Sequence, residues 1–477
     1  MSVAQDPGDL IDSVAAVRES FDRLKAAWRR GPVPTRAERA RMLDGIATWC
    51  IDNQDAVVAA LDSDFGGRSK YETLQAEVYV PVNAARQAKK HLRKWMKVRR
   101  RPVNVVFLPA SAQVVRQPVG VVGIISPWNY PFQLAVAPLV AAIAAGNKVL
   151  IKPSELTPAT SKLIERLVSE VFDADHVAVV IGDNSVGAAF SGLPFDHLLF
   201  TGSTRVGRLV MASAAPNLTP VTLELGGKSP ALVHDSFDVA LAAGRIAAGK
   251  CFNAGQTCIA PDYVLLHADK VDAFVDGYKA KTRSMYPTIK DNVDFTSIIN
   301  VHHARRLRGL LEDAREKGAR IVEIYPGEAT DDGERLGPVL VLDVTEDMAI
   351  MQEEIFGPLL PVRTVQNLDE ALDYINDHPR PLAMYYFDNN SGRVEEVLRK
   401  TVAGGVTIND TIYHYAQDDL PFGGAGDSGM GSCHGEAGFI TFSHSKSVFR
   451  QSKINGAGLL APPFGPKLDR ILKMMIR

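Results

Sequence analysis

The sequence predicts an α/β protein built from two doubly wound lobes joined near residue 225. Its 477 residues are too many for one ordinary core. From about residue 113, short β-rich runs alternate with helical segments, and after "VTLELGGKSP" the alternation starts again. Strand–helix alternation of this kind is what a parallel sheet covered by helices on both faces requires.

In chain order, Leu10, Val14, Val17, Phe21, Leu24 and Trp28 recur at spacings of four and three, one apolar stripe of an amphipathic helix. "PVPT" breaks it, and Thr35 with Glu38 forms a capping box for the next helix. The run "RQAKKHLRKWMKVRRR" (86–101) holds nine Lys or Arg and no acid. It reads as a solvated helix face entering a connecting loop, with a patch for an anionic membrane or polyanion as the alternative. "QVVRQ", "VGVVGIIS", "KVLIK", "VAVVIG" and "HLLFT" predict strands, with helices over 158–172 and 205–214. "LAVAPLVAAIAA" (134–145) contains Pro138 and falls short of the roughly 18 to 20 residues of a bilayer span, so it reads as a buried helix. In the second lobe, helices are expected near 238–250, 269–284, 302–317, 369–377 and 391–400. Strands are expected near 259–267, 339–344, 358–365, 382–388 and 405–408. The tail "PKLDRILKMMIR" places Leu468, Ile471, Leu472, Met475 and Ile476 on one helical face, suited to docking on its own protein or a dimer mate rather than on a membrane.

A composition of 46% hydrophobic and 23% charged residues reads as soluble and globular. A net charge of −2 gives no global attraction to nucleic acid or lipid, which leaves a small molecule or a second copy as the expected partner. The four cysteines, Cys50, Cys251, Cys258 and Cys433, have no C-x-x-C spacing, which argues against a disulfide framework or zinc site and suits a reducing cytosol. "MSVAQDPGDLIDS" has no apolar core of signal-peptide length, so no export signal is expected.

Candidate chemistry starts at Cys258 in "FNAGQTCIAPDY". A free thiol is mostly protonated at neutral pH, so it is either a nucleophile with a helper or buried filler. Gly255, Gln256 and Thr257 favour a tight polar turn that leaves the sulfur accessible. Cys251, at the end of a buried helix, reads as packing. Glu224 in "LELGGKSP" lies in an apolar run, so it is either a base of raised pKa or ion-paired, for instance with Lys228. Asn129 in "ISPWNYPF", flanked by Trp128, follows a buried strand at the end where α/β sheets gather ligands; it is an oxyanion donor or a turn residue. "HLLFTGSTRVG" sets Gly202, Ser203 and Gly207 at a helix opening that suits a phosphate, although Thr204 breaks the dinucleotide fingerprint. Lys152 and Glu155 in "VLIKPSE" form a charge pair placed for ribose hydroxyls, and "MQEEIFGP" reads by itself as a turn.

Taken in order, "PWNYPF", "KPSE", "FTGSTxxG", "ELGGKSP", "NAGQTC" and "EEIFGP" resemble the aldehyde dehydrogenase superfamily across nearly the whole chain. "TPVTLELGGKSP", "APDY" and "LPFGGAGDSGMGSCHG" look most like its class 3 branch, which includes fatty aldehyde and bacterial coniferyl aldehyde dehydrogenases. The resemblance implies that Cys258 is the nucleophile, Glu224 the base, and Asn129 with the Cys258 N–H the oxyanion hole. It also implies that Gly202 and Ser203 face a pyrophosphate beside Gly207. Lys152 and Glu155 would meet the adenosine ribose, Glu354 the nicotinamide ribose, and Phe356 and Trp128 the nicotinamide end. The cofactor so implied is NAD, with NADP as the alternative, because Glu155 should repel a 2′-phosphate while Lys152 could offset it.

Domain expectations follow from the same resemblance. They are a cofactor domain over 1–100 and 114–224, a catalytic domain over 225–432, an oligomerisation arm from 101–113 and 433–450, and a tail over 451–477 carrying the amphipathic helix. A cytoplasmic homodimer without an integral membrane segment is implied, acting on a coniferyl-type or other bulky aryl or long aliphatic aldehyde. Where relatives often read "RIAWGK", this chain has "RIAAGK", and Ala248 is expected to widen the pocket if that position lines it. Rival readings are a fatty or general aldehyde dehydrogenase, a non-catalytic protein on this fold, and a cysteine esterase.

Overall fold

The computed structural model describes residues 7–328 and 334–476. Residues 1–6, the start of the segment expected to lack an export signal, lie outside the described residues. The first helix, Pro7–Arg30, buries Val17, Phe21 and Leu24 as its stripe requires. The next, Arg36–Asp52, opens on the expected capping box: Glu38 N–H donates to Thr35 Oγ at 3.3 Å and Thr35 N–H to Glu38 at 2.7 Å.

Two strands come next, β1 (Arg99–Arg101) and β2 (Ser111–Pro118). Five follow: β3 (Val121–Ile125), β4 (Lys148–Lys152), β5 (Val177–Val179), β6 (His197–Thr201) and β7 (Val221–Glu224). After them run β8 (Pro230–Val233), β9 (Tyr263–His267), β10 (Arg320–Glu323), β11 (Val339–Leu342), β12 (Leu359–Val365), β13 (Ala383–Phe387) and β14 (Gly405–Ile408). The short β15 (Gly429–Met430) and β16 (Ser443–Arg450) close the order.

They form three sheets among the described residues. The first has the order β15-β7-β6-β3-β4-β5, parallel except for β15. Its parallel part is the dinucleotide-binding order, with the topological switch between β3 and β6, the place where such sheets bind ligands. The second, β10-β11-β12-β9-β8-β13-β14, is parallel except for β10. The third, β1-β2-β16, is an antiparallel ribbon. The α/β class, the two lobes and the small β arm are therefore as the sequence led us to expect.

Some placements differ. "QVVRQ", expected among the parallel strands, lies in β2 and pairs with β16 in the arm. Cys433 and the helix Gly435–Thr441 precede the arm strand rather than belonging to it, and that helix packs on the helix Gln133–Ala145. β15 pairs with β7, so the end of the second lobe's sequence completes the first lobe's sheet. The 134–145 stretch is a buried helix around Pro138, as expected, and no described helix is long and apolar enough to cross a membrane. The helical bases of the basic run lie on the solvent face of the helix Val80–Trp95, which buries Ala85, Ala88, Leu92 and Trp95 on the other, and the run ends in the strand β1 of the arm. The tail helix Pro466–Ile476 buries no residue: of the apolar face expected to dock on its own protein or a dimer mate, Leu468 and Ile471 are half-buried and Leu472, Met475 and Ile476 are exposed in this chain.

Candidate active site

Three loops converge at the carboxyl ends of the first sheet's strands. The loop after β3 carries Trp128 and Asn129, the turn after β6 carries Gly202 and Ser203, and β7 ends on Glu224. The loop 252–258 from the second lobe closes over them.

That loop is held in an unusual backbone. Asn253, Ala254 and Gly255 have φ of 52°, 50° and 74°, three successive left-handed residues, a conformation disfavoured for all but glycine. A Cβ on Gly255 would collide with the carbonyl of Gly357, so the loop lies directly against the segment bearing Glu354 and Phe356. Side chains fix it in place. Gln256 Nε2 donates to Ser297 O at 3.0 Å, and Ile299 N–H donates to Gln256 Oε1 at 2.9 Å. Asn129 Nδ2 donates to Gln256 O at 3.1 Å, while the Asn129 carbonyl accepts from Arg68 at 2.9 Å and from Asn253 Nδ2 at 3.1 Å. Arg68 is itself buried, ion-paired to Glu77 at 3.1 Å and stacked over the rings of Phe65 and Tyr130. Glu72 accepts from Asn253 N–H at 3.0 Å and Thr296 Oγ at 2.7 Å.

Cys258 is half-buried. Burial, then the negative charges of Glu354 and Glu224, push its thiol up to about 12. Of the two carboxylates, Glu224 lines the same cavity as Cys258. Glu224 is 5% exposed, neither of its oxygens has a hydrogen-bond partner among the described residues, and burial raises its pKa well above the usual carboxylate range. The alternative ion pair with Lys228 is not formed: that amine binds Asp262 and donates to Ile350 O at 2.8 Å and Glu353 O at 2.9 Å. Glu224 and Cys258 share a mostly apolar cavity with Gln133, Thr201, Tyr415, Phe422, Cys433 and His434. Its free space is about 30 Å³, room for a water or two.

Glu354 sits on the Gly226–Gly227 backbone, where a Cβ on Gly226 would strike its carboxylate. Burial and the neighbouring Asp262 push it up to about 8, eased by the Gly227 N–H. The Phe356 ring, on a residue with φ of 51°, meets Trp128 edge-on at 5.3 Å, and Trp128 also contacts His303 at 4.8 Å.

At the neighbouring strand end, Lys152 is buried and its ammonium meets Glu155 at 2.6 Å. The Glu155 side chain is 35% exposed against 5% for Lys152, so the carboxylate is the solvent-facing member. Ser203 caps the helix Thr204–Ala214, its Oγ accepting from Val206 N–H at 3.4 Å. Gly202 N–H donates to Glu224 O at 3.0 Å and is not available to a phosphate. What remains for an anion is the Thr204 and Arg205 N–H groups of the first turn, which have no intrahelical acceptor. A Cβ on Gly207 would lie 2.6 Å from Leu225, so this glycine allows the helix to pack closely on the strand.

Cys251 is fully buried, its Sγ 4.0 Å from Tyr278 Oη, consistent with packing. Ala248 is exposed on its helix and does not line the cavity at Cys258, so the absence of an indole there does not enlarge that cavity. Sequence reasoning missed Arg68, Glu72, Glu77, Tyr415 and His434, and treated Cys433 only as a comparison for Cys258. The turn "GSCHG", rich in glycine beside a cysteine and a histidine, was the one available signal.

The profile described as "Aldehyde dehydrogenase family" matches residues 5–448. A "Probable coniferyl aldehyde dehydrogenase" of Pseudomonas aeruginosa is 51% identical over 458 residues, 96% of each chain. A "Coniferyl aldehyde dehydrogenase" of Pseudomonas sp. is 45% identical, covering 96% of this chain and 95% of that one. Among solved structures, "Substrate bound state of Staphylococcus Aureus AldH" superposes with a TM-score of 0.92 at 38% identity, over 96% of this chain and 99% of that one.

Proposed function

This chain belongs to the aldehyde dehydrogenase family, and on that premise we propose that it oxidises an aryl-propenal of the coniferyl type, with NAD, through Cys258, Glu224 and Asn129. Oxidation of aldehydes to acids with NAD(P) is the family's reaction. The observation that carries the assignment of residues is the meeting, in one cavity, of a half-buried thiol and a buried carboxylate without a partner.

As the Cys258 thiol gives its proton to the Glu224 carboxylate through the cavity water, its sulfur attacks the aldehyde carbon, an S–C bond forms and the carbonyl oxygen takes up negative charge; Glu224 passes the proton on to solvent before hydrolysis. Asn129 Nδ2 spends one hydrogen on Gln256 O and keeps a second for that oxygen, joined by the Cys258 N–H. The cofactor's adenosine ribose fits the Lys152–Glu155 pair, its pyrophosphate the first turn at Ser203, and its second ribose Glu354, with Phe356 and Trp128 beyond. When bound, the nicotinamide supplies the hydride acceptor that turns the adduct into a thioester. Glu224 then takes a proton from water, the water oxygen attacks the thioester carbon, and the C–S bond breaks to release the carboxylate. A base of raised pKa in a cavity with room for one water is suited to that step. The solvent-facing Glu155 favours NAD, since it meets a 2′-phosphate with like charge while Lys152 is already neutralised.

For the substrate, support comes from the names of the relatives, two of which are coniferyl aldehyde dehydrogenases or probable ones. An aldehyde panel of coniferyl, benzyl, short alkyl and long alkyl compounds, followed at 340 nm with both cofactors, tests this. Coniferyl aldehyde should exceed short alkyl aldehydes in kcat/KM by at least about tenfold, and Cys258→Ala should abolish turnover. Equal efficiency across the panel would sink the aryl assignment. The three-stranded arm, whose β16 is an open edge with Phe449 exposed, is our choice for the contact of a cytoplasmic homodimer.

A further inference from the structure

We infer that Arg68 is a positioning residue for the oxyanion hole: its guanidinium sets the spacing between the Asn129 amide and the Cys258 N–H. The inference rests on the reading of those two groups as the hole. They come from different lobes, Asn129 from the loop after β3 and Cys258 from the loop after the helix Val239–Cys251, so neither element alone fixes the gap between them. Arg68 reaches both. Its Nη1 donates to the Asn129 carbonyl at 2.9 Å, and its Nη2 is ion-paired to Glu77 Oε1 at 3.1 Å, both side chains being fully buried. The other Glu77 oxygen accepts from Gln133 N–H at 2.7 Å, at the start of the helix Gln133–Ala145. One ion pair thus holds the Asn129 loop at its middle and at its helical end. The same guanidinium lies over the Tyr130 ring at 5.1 Å, and the Tyr130 hydroxyl shares a hydrogen bond with Thr257 Oγ at 2.6 Å, next to Cys258.

The turn that carries Arg68 is tied to the cysteine loop from behind. Arg68 N–H donates to Asp62 Oδ1 at 3.0 Å, and Ser297 N–H donates to Gly67 O at 2.8 Å. Ser297 O and Ile299 N–H in turn hold the Gln256 side chain, and the Gln256 carbonyl takes the Asn129 amide. The hydrogen bonds therefore close a ring from Arg68 through Asn129, Gln256 and Ser297 back to Gly67 beside Arg68. A lysine in its place keeps a charge opposite Glu77 but has no planar fork to serve Glu77 and the Asn129 carbonyl together. Spacing matters because an oxyanion donor acts only where the charge develops, and a misplacement of about 1 Å can cost about a hundredfold in rate.

Two reactions of Cys258, both without cofactor, separate positioning from a general disturbance of the fold. Acylation by p-nitrophenyl acetate, read as the rate of the nitrophenolate burst, puts negative charge on the carbonyl oxygen before nitrophenolate leaves. Alkylation by iodoacetamide forms an S–C bond as iodide leaves and makes no oxyanion. Arg68→Lys should slow acylation by about tenfold or more, while alkylation stays within about twofold of wild type. Arg68→Met combined with Glu77→Gln, which leaves no buried charge unpaired, should show the same split and decides the matter where the single variant does not fold. Asn129→Ala should slow acylation by about a hundredfold or more. If Asn129→Ala does so while the Arg68 variant acylates at the wild-type rate, or loses acylation and alkylation alike, the role of Arg68 is overturned alone. If Asn129→Ala acylates as fast as wild type, the reading of the hole falls and this inference with it.

Discussion

A thiol pushed up to about 12 is nearly all S–H at neutral pH, so the attack we propose for Cys258 requires loss of its proton in the same step rather than a waiting thiolate. Two of the causes are removable charges. Glu354→Gln takes away the larger of them, which stabilises the thiolate and lowers the thiol pKa. Alkylation of Cys258 by iodoacetamide at pH 8 should therefore quicken about threefold to tenfold, with Cys258→Ala as the blank; an unchanged or slower rate would contradict the coupling. At this scale the sequence left each residue ambiguous. Local chemistry around Cys258 fitted filler as well as nucleophile, and Glu224 fitted an ion pair as well as a base, until Asp262 was found holding Lys228. Only the ordered set of motifs chose between them. Arg68 and Cys433 escaped because an arginine in a turn after two glycines and a cysteine in a glycine-rich turn give no periodic sign of burial.

The cysteine loop shows what a single element contributes. Its three left-handed residues turn the chain so that Cys258 faces the cavity, and Gly255 is where no side chain fits. Gly255→Ala combines a left-handed alanine with a collision against the Gly357 carbonyl. We expect a loss of about 2–4 kcal/mol, read by denaturant unfolding, and a larger loss of activity because Glu354 is carried on the segment that would be displaced. A variant with wild-type stability would show the loop to be slack. Most elements were legible from periodicity, since alternating strands and amphipathic helices write their burial into the sequence. The failures have a common cause. "QVVRQ" reads as a strand and is one, but a local pattern does not say which sheet it joins. β15, a glycine and a methionine, has no pattern to read.

At the scale of the molecule, the crossing of β15 into the first sheet ties the segment bearing Cys433 to the first lobe. The two-lobe plan was legible because the strand–helix alternation runs twice. The exposed tail helix was not, because amphipathicity records an apolar face and not its partner. Binding to the native state alone stabilises it by an amount set by ligand concentration over Kd, so the choice of cofactor can be read from melting without knowing the aldehyde. At 100 times its Kd, NAD should add about 2.7 kcal/mol, a rise of about 2–3 °C for a chain of this size. NADP at the same concentration should add less, because Glu155, the exposed member of its pair with Lys152, meets the 2′-phosphate with like charge. Glu155→Gln removes that repulsion and frees the Lys152 ammonium, so the difference between the two cofactors should shrink or reverse. An equal shift by NAD and NADP in the wild type would remove Glu155 as the discriminator and leave both cofactors as substrates.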